Sequence, residues 1–393
     1  MSARGQAVLD AIDAAWIAAT TERMVEIPSV TMDEARICEF YRDQLRALDL
    51  EVTEREVTPG RFNLYARLPG RGGGRPLTFN GHLDTIPIGK AWPPRREGDR
   101  IYGRGSEDMK GSMAALLGMV RALRAGGVAL AGDLWLTAVV GHEEAEARKD
   151  GPRAMIEDIN AGRLPCERIV IVEGDEQLWT MSMGSTVFTI TLESDLGGAH
   201  TNNVPFGRNP IRVMGDVITA INALQEAMDA GARHPLAGAE RIDLGIAQAG
   251  DYHNRTPVRC VLEGTRRWMP GKTVGDVVAE LERLVAPLAR SADLRHRIEI
   301  AMEREPFETP ADDPAVRAVG EAAARVKGSY PPVIGRRIVG DANLYFNGAR
   351  VPVFYYGPAY VTAHADVEHV SVESLARCAK VYALAAMDYC GVA

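Results

Sequence analysis

Short apolar runs that each stop just before a histidine or an acidic residue restrict this chain more than any other feature. Leu77-Thr78-Phe79-Asn80 leads into His82, Asp133 to Val140 leads into Glu143, Arg168 to Val172 leads into Glu173, and Val351 to Tyr356 leads into the loop carrying His364. Runs of this length without alternation read as strands buried on both faces, as in a mostly parallel sheet covered by helices. In open α/β sheets, ligands gather at the carboxyl ends of the strands. Helical cover is visible as well. Met113 to Arg124 has helical spacing and stops at Gly126-Gly127, and Ala7 to Ile27 mixes Asp10, Asp13, Glu22, Arg23 and Glu26 into a helical pattern.

The middle third changes character. Thr186 to Ser194 alternates as a strand, Asn209 to Ala230 reads as a helix, Arg241 to Ala249 and Val258 to Trp268 as strands, Thr273 to Arg290 as a helix, and Arg295 to Met302 as a strand. That βαββαβ order matches a ferredoxin-like split βαβ unit. The expected fold is therefore α/β in two domains: residues 1–180 and 295–393 form a catalytic domain with a mixed sheet flanked by helices, interrupted by an inserted domain at 181–294. The glycine-rich patch Gly70 to Arg75 precedes a strand and not a helix, so it reads as a turn and not as a phosphate cradle.

Charge narrows the partners. The 45 basic and 53 acidic residues give a net charge of −8 without a Lys/Arg block, which argues against nucleic acid and anionic membrane. The N-terminal segment has no basic stretch followed by a long apolar run, so neither a signal peptide nor a membrane span is expected there. Cys38, Cys166, Cys260, Cys378 and Cys390 are scattered without a C-x-x-C pair, which fits reduced thiols and a cytoplasmic location.

The strand-end residues suit two divalent metals about 3.5–4 Å apart, which need a bridging carboxylate and nitrogen and oxygen ligands on each side. Asp108 is the natural bridge, although it could also cap the helix that follows. His82 and Glu173 would complete one metal site, and Glu144 and His364 the other. Asp84, two residues from His82 on an extended segment, would accept a hydrogen bond from the imidazole and fix its tautomer. Glu143, next to a ligand, is placed to take a proton from the attacking water as general base.

Taken together, Gly81-His82-Leu83-Asp84-Thr85-Ile86-Pro87, Tyr102-Gly103-Arg104-Gly105, Asp108-Met109-Lys110-Gly111, Gly357-Pro358 and Ala363-His364 resemble the zinc-dependent amidohydrolases and exopeptidases that include acetylornithine deacetylase, succinyl-diaminopimelate desuccinylase, aminoacylase and glutamate carboxypeptidase. The resemblance spans almost the whole chain. It implies a di-zinc catalytic domain, with cobalt or manganese compatible with the same ligands, and an inserted lid or dimerisation domain that makes a homodimer. The implied reaction is hydrolysis of an amide bond in a small N-acyl amino acid or dipeptide-like substrate. His200 would steady the oxyanion, in its own or the partner's site, while Asn254 and Arg267 would bind substrate. A metal- and ligand-binding homologue without activity is the alternative.

Three departures from the family pattern stand out. His142 occupies the place before the glutamate pair where an acidic residue is usual. Glu173-Gly174-Asp175 replaces the usual Glu-Pro-Thr, leaving Asp175 as an alternative ligand. His369 competes with His364, which has Glu368 at the familiar spacing.

Overall fold

The computed structural model describes residues 2–393. The chain divides into two compact units, Met1–Thr180 with Thr309–Ile334 and Leu344–Ala393, and Met181–Glu308 with Gly335–Asn343.

The first unit is built on a mixed sheet that carries all four apolar runs. Leu77–His82 lies between Leu134–Val139 and Ile169–Ile171 and is parallel to both, and Ile169–Ile171 is parallel to Val353–Tyr355 on its other side. The carboxyl ends of these four strands therefore open on one edge. Every residue of Leu77–His82 and Leu134–Val139 is buried, which is why neither run alternates. An antiparallel hairpin, Glu51–Thr58 and Arg61–Leu68, closes one side of the sheet.

The helix Gly111–Ala125 is buried along nearly its whole length and packs against Ala14–Val25 and Val372–Cys390. A helix apolar on all sides is a core helix, and each fully buried leucine on it, such as Leu116 or Leu117, contributes about 1.5–3 kcal/mol. Gly118 allows its neighbour to approach, because a Cβ there would lie 2.6 Å from Ile17 Cδ1. The long amino-terminal helical pattern is broken: Ala3–Asp10 ends, and Ala14–Val25 restarts with the Asp13 side chain accepting from Trp16 N.

The second unit has the expected βαββαβ order. Its antiparallel sheet runs Arg241–Ala249, Arg259–Trp268, Gly184–Glu193, Arg295–Arg304, with helices Pro210–Ala230 and Val274–Ser291 supplying a separate core around Phe188, Ile190, Leu262 and Leu281. Sequence signals explain the helix starts. Asn209 caps a helix with Pro210 in its first turn, and Thr273 forms a reciprocal capping box with Asp276. The strand Arg295–Arg304 pairs inside this unit, so the unit continues to Glu308 and does not stop at 294.

Candidate metal centre

His82 ends its strand nearly enclosed, at 2% exposure. Its Nδ1 faces the main-chain oxygen of Asp84 at 2.9 Å, and Nε2 faces Asp108 Oδ1 at 3.0 Å and Glu173 Oε1 at 3.4 Å. A hydrogen on Nδ1 donated to that carbonyl fixes the ring so that Nε2 faces the carboxylates. The Asp84 carboxylate was expected in this role but lies farther off, with Oδ1 3.7 Å from Nδ1. The chain turns at the strand end, so the carbonyl reaches the ring first. Asp84 Oδ2 instead accepts from Thr31 Oγ1 at 2.8 Å and from Glu143 N at 2.9 Å, holding the neighbouring loop.

That loop, Gly141 to Glu144, is pinned at three main-chain nitrogens. Gly141 N donates to buried Glu34, Glu143 N to Asp84 and Glu144 N to Thr31 Oγ1. Gly141 has φ +65°, and a Cβ there would come within 2.0 Å of Asp150 Oδ1, so the turn requires glycine. Of the two glutamates, Glu143 is the one that faces His364. Both oxygens of Glu143 face His364 Nε2, at 3.2 and 3.3 Å, whereas the Glu144 carboxylate has no hydrogen bond or ion pair among the described residues. Glu144 is extended, at φ −82° and ψ 148°, and successive side chains on an extended segment point to opposite sides.

Asp108 joins the two histidines. Oδ1 faces His82, and Oδ2 lies 3.3 Å from His364 Nε2 while accepting from Tyr360 Oη at 2.9 Å. Asp108 therefore does not cap the following helix: its own backbone is extended, and that helix begins at Gly111 without a side-chain cap. Buried carboxylates on either side clasp the Asp108 segment to the His364 loop. Glu107 accepts from Val361 N, Thr362 N and Thr362 Oγ1, and Glu368 accepts from Glu107 N and Asp108 N. Arg104 completes the clasp, bonding Glu368 at 2.6 Å and the carbonyls of Pro87 and Ala365.

The alternatives fall outside this cluster. His369 stacks on Tyr102 with centroids 5.2 Å apart, and Asp175 makes none of the cluster's contacts. In the second unit, His200 Nε2 is 3.4 Å from Asn254 Nδ2, while Arg267 donates to the main-chain oxygen of Arg337.

The electrostatics suit cations. Burial depresses the His82 imidazolium, but Asp108 and Glu173 outweigh it and hold its pKa well above the usual value. Contacts with Asp108 and Glu143 push His364 up to about 10. Burial raises Glu173, and the two imidazoles overcome burial to hold Asp108 low. Donor atoms of His82, Asp108 and Glu143 lie within 4.8 Å of one another, a mixed nitrogen and oxygen set that divalent zinc, cobalt or manganese accepts. Sequence reading missed Tyr360, Glu107, Arg104, Thr31 and Glu34. Arg104 lay within a motif it had singled out, and Glu107 between two of them.

Comparison with known proteins agrees with this chemistry. The model of "Peptidase family M20/M25/M40" matches residues 78–388. The chain is 26% identical over 375 residues to N-formyl-4-amino-5-aminomethyl-2-methylpyrimidine deformylase of Bacillus subtilis, covering 86% of this chain and 85% of that one. It is 24% identical over 393 residues to succinyl-diaminopimelate desuccinylase of Dinoroseobacter shibae, covering 94% and 98%. The crystal structure of aminopeptidase PepT from Bacillus cereus superposes with a TM-score of 0.81 at 18% identity over 97% of this chain and 99% of that one, a likeness of fold.

Proposed function

Because the chain belongs to peptidase family M20/M25/M40, we propose that it hydrolyses the amide bond of a small N-acyl amino acid or dipeptide-like substrate with the help of two divalent ions, zinc first among them. One observation carries this reading: the two oxygens of Asp108 face two different imidazoles, His82 at 3.0 Å and His364 at 3.3 Å, as a carboxylate between two ions must. His82 and Glu173 would hold one ion. His364 and Glu144 would hold the other, and Glu143, whose carboxylate lies beside His364 Nε2, would act as general base. When bound, the ions would polarise the amide carbonyl and lower the pKa of the attacking water to about 7.

The chain's own residues prepare that chemistry. Asp84, Thr31 and Glu34 fix the loop bearing Glu143, and Glu107, Glu368 and Arg104 keep the Asp108 and His364 segments together. The resemblance assigns the oxyanion to His200 and the substrate carboxylate to Asn254 and Arg267. The 3.4 Å approach of His200 to Asn254 supports these two acting as a pair.

The test is a screen of the metal-loaded protein against N-acetyl, N-succinyl and N-aromatic-acyl amino acids and dipeptides. Turnover of at least one class, lost on chelation and restored by metal, is expected. Full metal content without turnover of any amide would favour the binding homologue.

A further inference from the structure

The glycine-rich turn Gly70 to Arg75 takes no part in the metal centre, yet it walls a cavity of about 530 Å³ at the other edge of the same sheet. Main-chain bonds lace the turn to two neighbouring segments. Arg71 N donates to Leu130 O and Gly72 N to Ala131 O, while Ala131 N and Gly132 N donate to Gly391 O and Cys390 O. Those N–H groups are thereby spent, so a ligand in the cavity is recognised by side chains. The helix Pro314–Lys327 supplies another wall through Pro314, Arg317, Ala318 and Glu321, which share one face at spacings of three and four. We propose that this cavity binds a free α-amino acid with an apolar side chain, its carboxylate on Arg75 and its ammonium at Asp312.

Charge selects that ligand. The Arg75 guanidinium lies over the Tyr389 ring, 5.7 Å from its centroid, and has no acidic partner among the described residues. Stacking leaves the edge of the guanidinium fork free, and that edge can grip both oxygens of a carboxylate. Asp312 is the counterpart, lining the same cavity with a carboxylate that has no hydrogen bond or ion pair among the described residues. The other charges of the lining are already matched: Arg317 lies 3.7 Å from Glu321, and Asp388 is paired with Arg325. One unmatched positive and one unmatched negative charge suit a zwitterion better than an anion or a cation alone. Ala131, Pro314, Ala318 and the Tyr389 ring add apolar surface for a side chain. Position separates this cavity from the metal centre. Arg75 lies just before Leu77–His82, whose far end carries His82, and a six-residue strand spans roughly 20 Å.

The proposal is independent of the amide-hydrolase reading, and chelator-treated protein tests it without metal-centre binding. Equilibrium dialysis of L-leucine against that protein is expected to show saturable binding of one molecule per chain, unchanged when zinc is restored. L-Leucinamide, which lacks the carboxylate, and isocaproate, which lacks the ammonium, should each compete about tenfold or more less well, the loss expected for a hydrogen bond to a charged partner. Arg75→Ala and Asp312→Asn should weaken leucine binding by a similar factor. Both side chains are exposed, so the fold should survive either change, as circular dichroism would check. No saturable binding in the millimolar range would overturn the proposal. So would binding that appears only after zinc is restored, that survives Arg75→Ala or Asp312→Asn unchanged, or that leucinamide or isocaproate matches.

Discussion

Tyr360 Oη donates at 2.9 Å to Asp108 Oδ2, the same oxygen that faces His364. A hydrogen bond to a ligating carboxylate orients its remaining lone pair, and losing such a partner commonly costs about 10–100-fold in metal affinity. Tyr360→Phe keeps the ring and removes only the hydroxyl, so competition against a chelating dye should show weakening of that order. Unchanged affinity would make the contact incidental. His82, Asp108, Glu173 and His364 were legible because strand ends and motifs place them. Which of His142, Glu143 and Glu144 faces His364 was not, because an apolar run shows where a strand stops but not which of the next residues faces inward, and a one-residue slip reverses every side chain. Tyr360 lies in a loop without periodicity, where nothing in the sequence reports direction.

Between elements, the loop after Ile169–Ile171 is anchored by Glu176, three residues beyond Glu173. Its carboxylate bonds Arg377 at 2.5 Å, Ser374 at 2.7 Å and Lys327 at 2.8 Å, tying the loop to helices Pro314–Lys327 and Val372–Cys390. Burial raises the Glu176 carboxyl, but these partners outweigh it and bring its pKa to about 2 from 4.5. A depressed folded value contributes stability that is fully present above pH 4.5 and lost as the pH falls through about 2. Glu176→Gln should therefore cost roughly 3 kcal/mol near neutrality. Denaturant titrations of the two proteins should converge as the pH drops across that window, whereas a constant difference would contradict the linkage. Buried strands and the helix at Gly111–Ala125 were readable from unbroken apolar runs and spacing. The cap that Asp108 could also have supplied is absent, because its carboxylate oxygens face the imidazoles and Tyr360.

Across the whole molecule, two separate cores account for the division of the chain, and the βαββαβ pattern revealed one of them in the sequence. The return of Gly335–Asn343 to the second unit was not visible, since nine residues without a pattern of their own give no sign of which core they join. What unites the account is the first unit's strand edge, where four parallel strands lead to His82, Glu143, Glu173 and His364 around Asp108, which arrives from the segment after Arg100–Tyr102. Metal stoichiometry tests that claim most directly, by elemental analysis of wild-type and Asp108→Ala protein after zinc loading and removal of free ion. Two ions per wild-type chain, falling to one or none in Asp108→Ala with its fold intact by circular dichroism, is the predicted result. A wild-type chain that saturates at one ion, or an Asp108→Ala chain that keeps two, would contradict it.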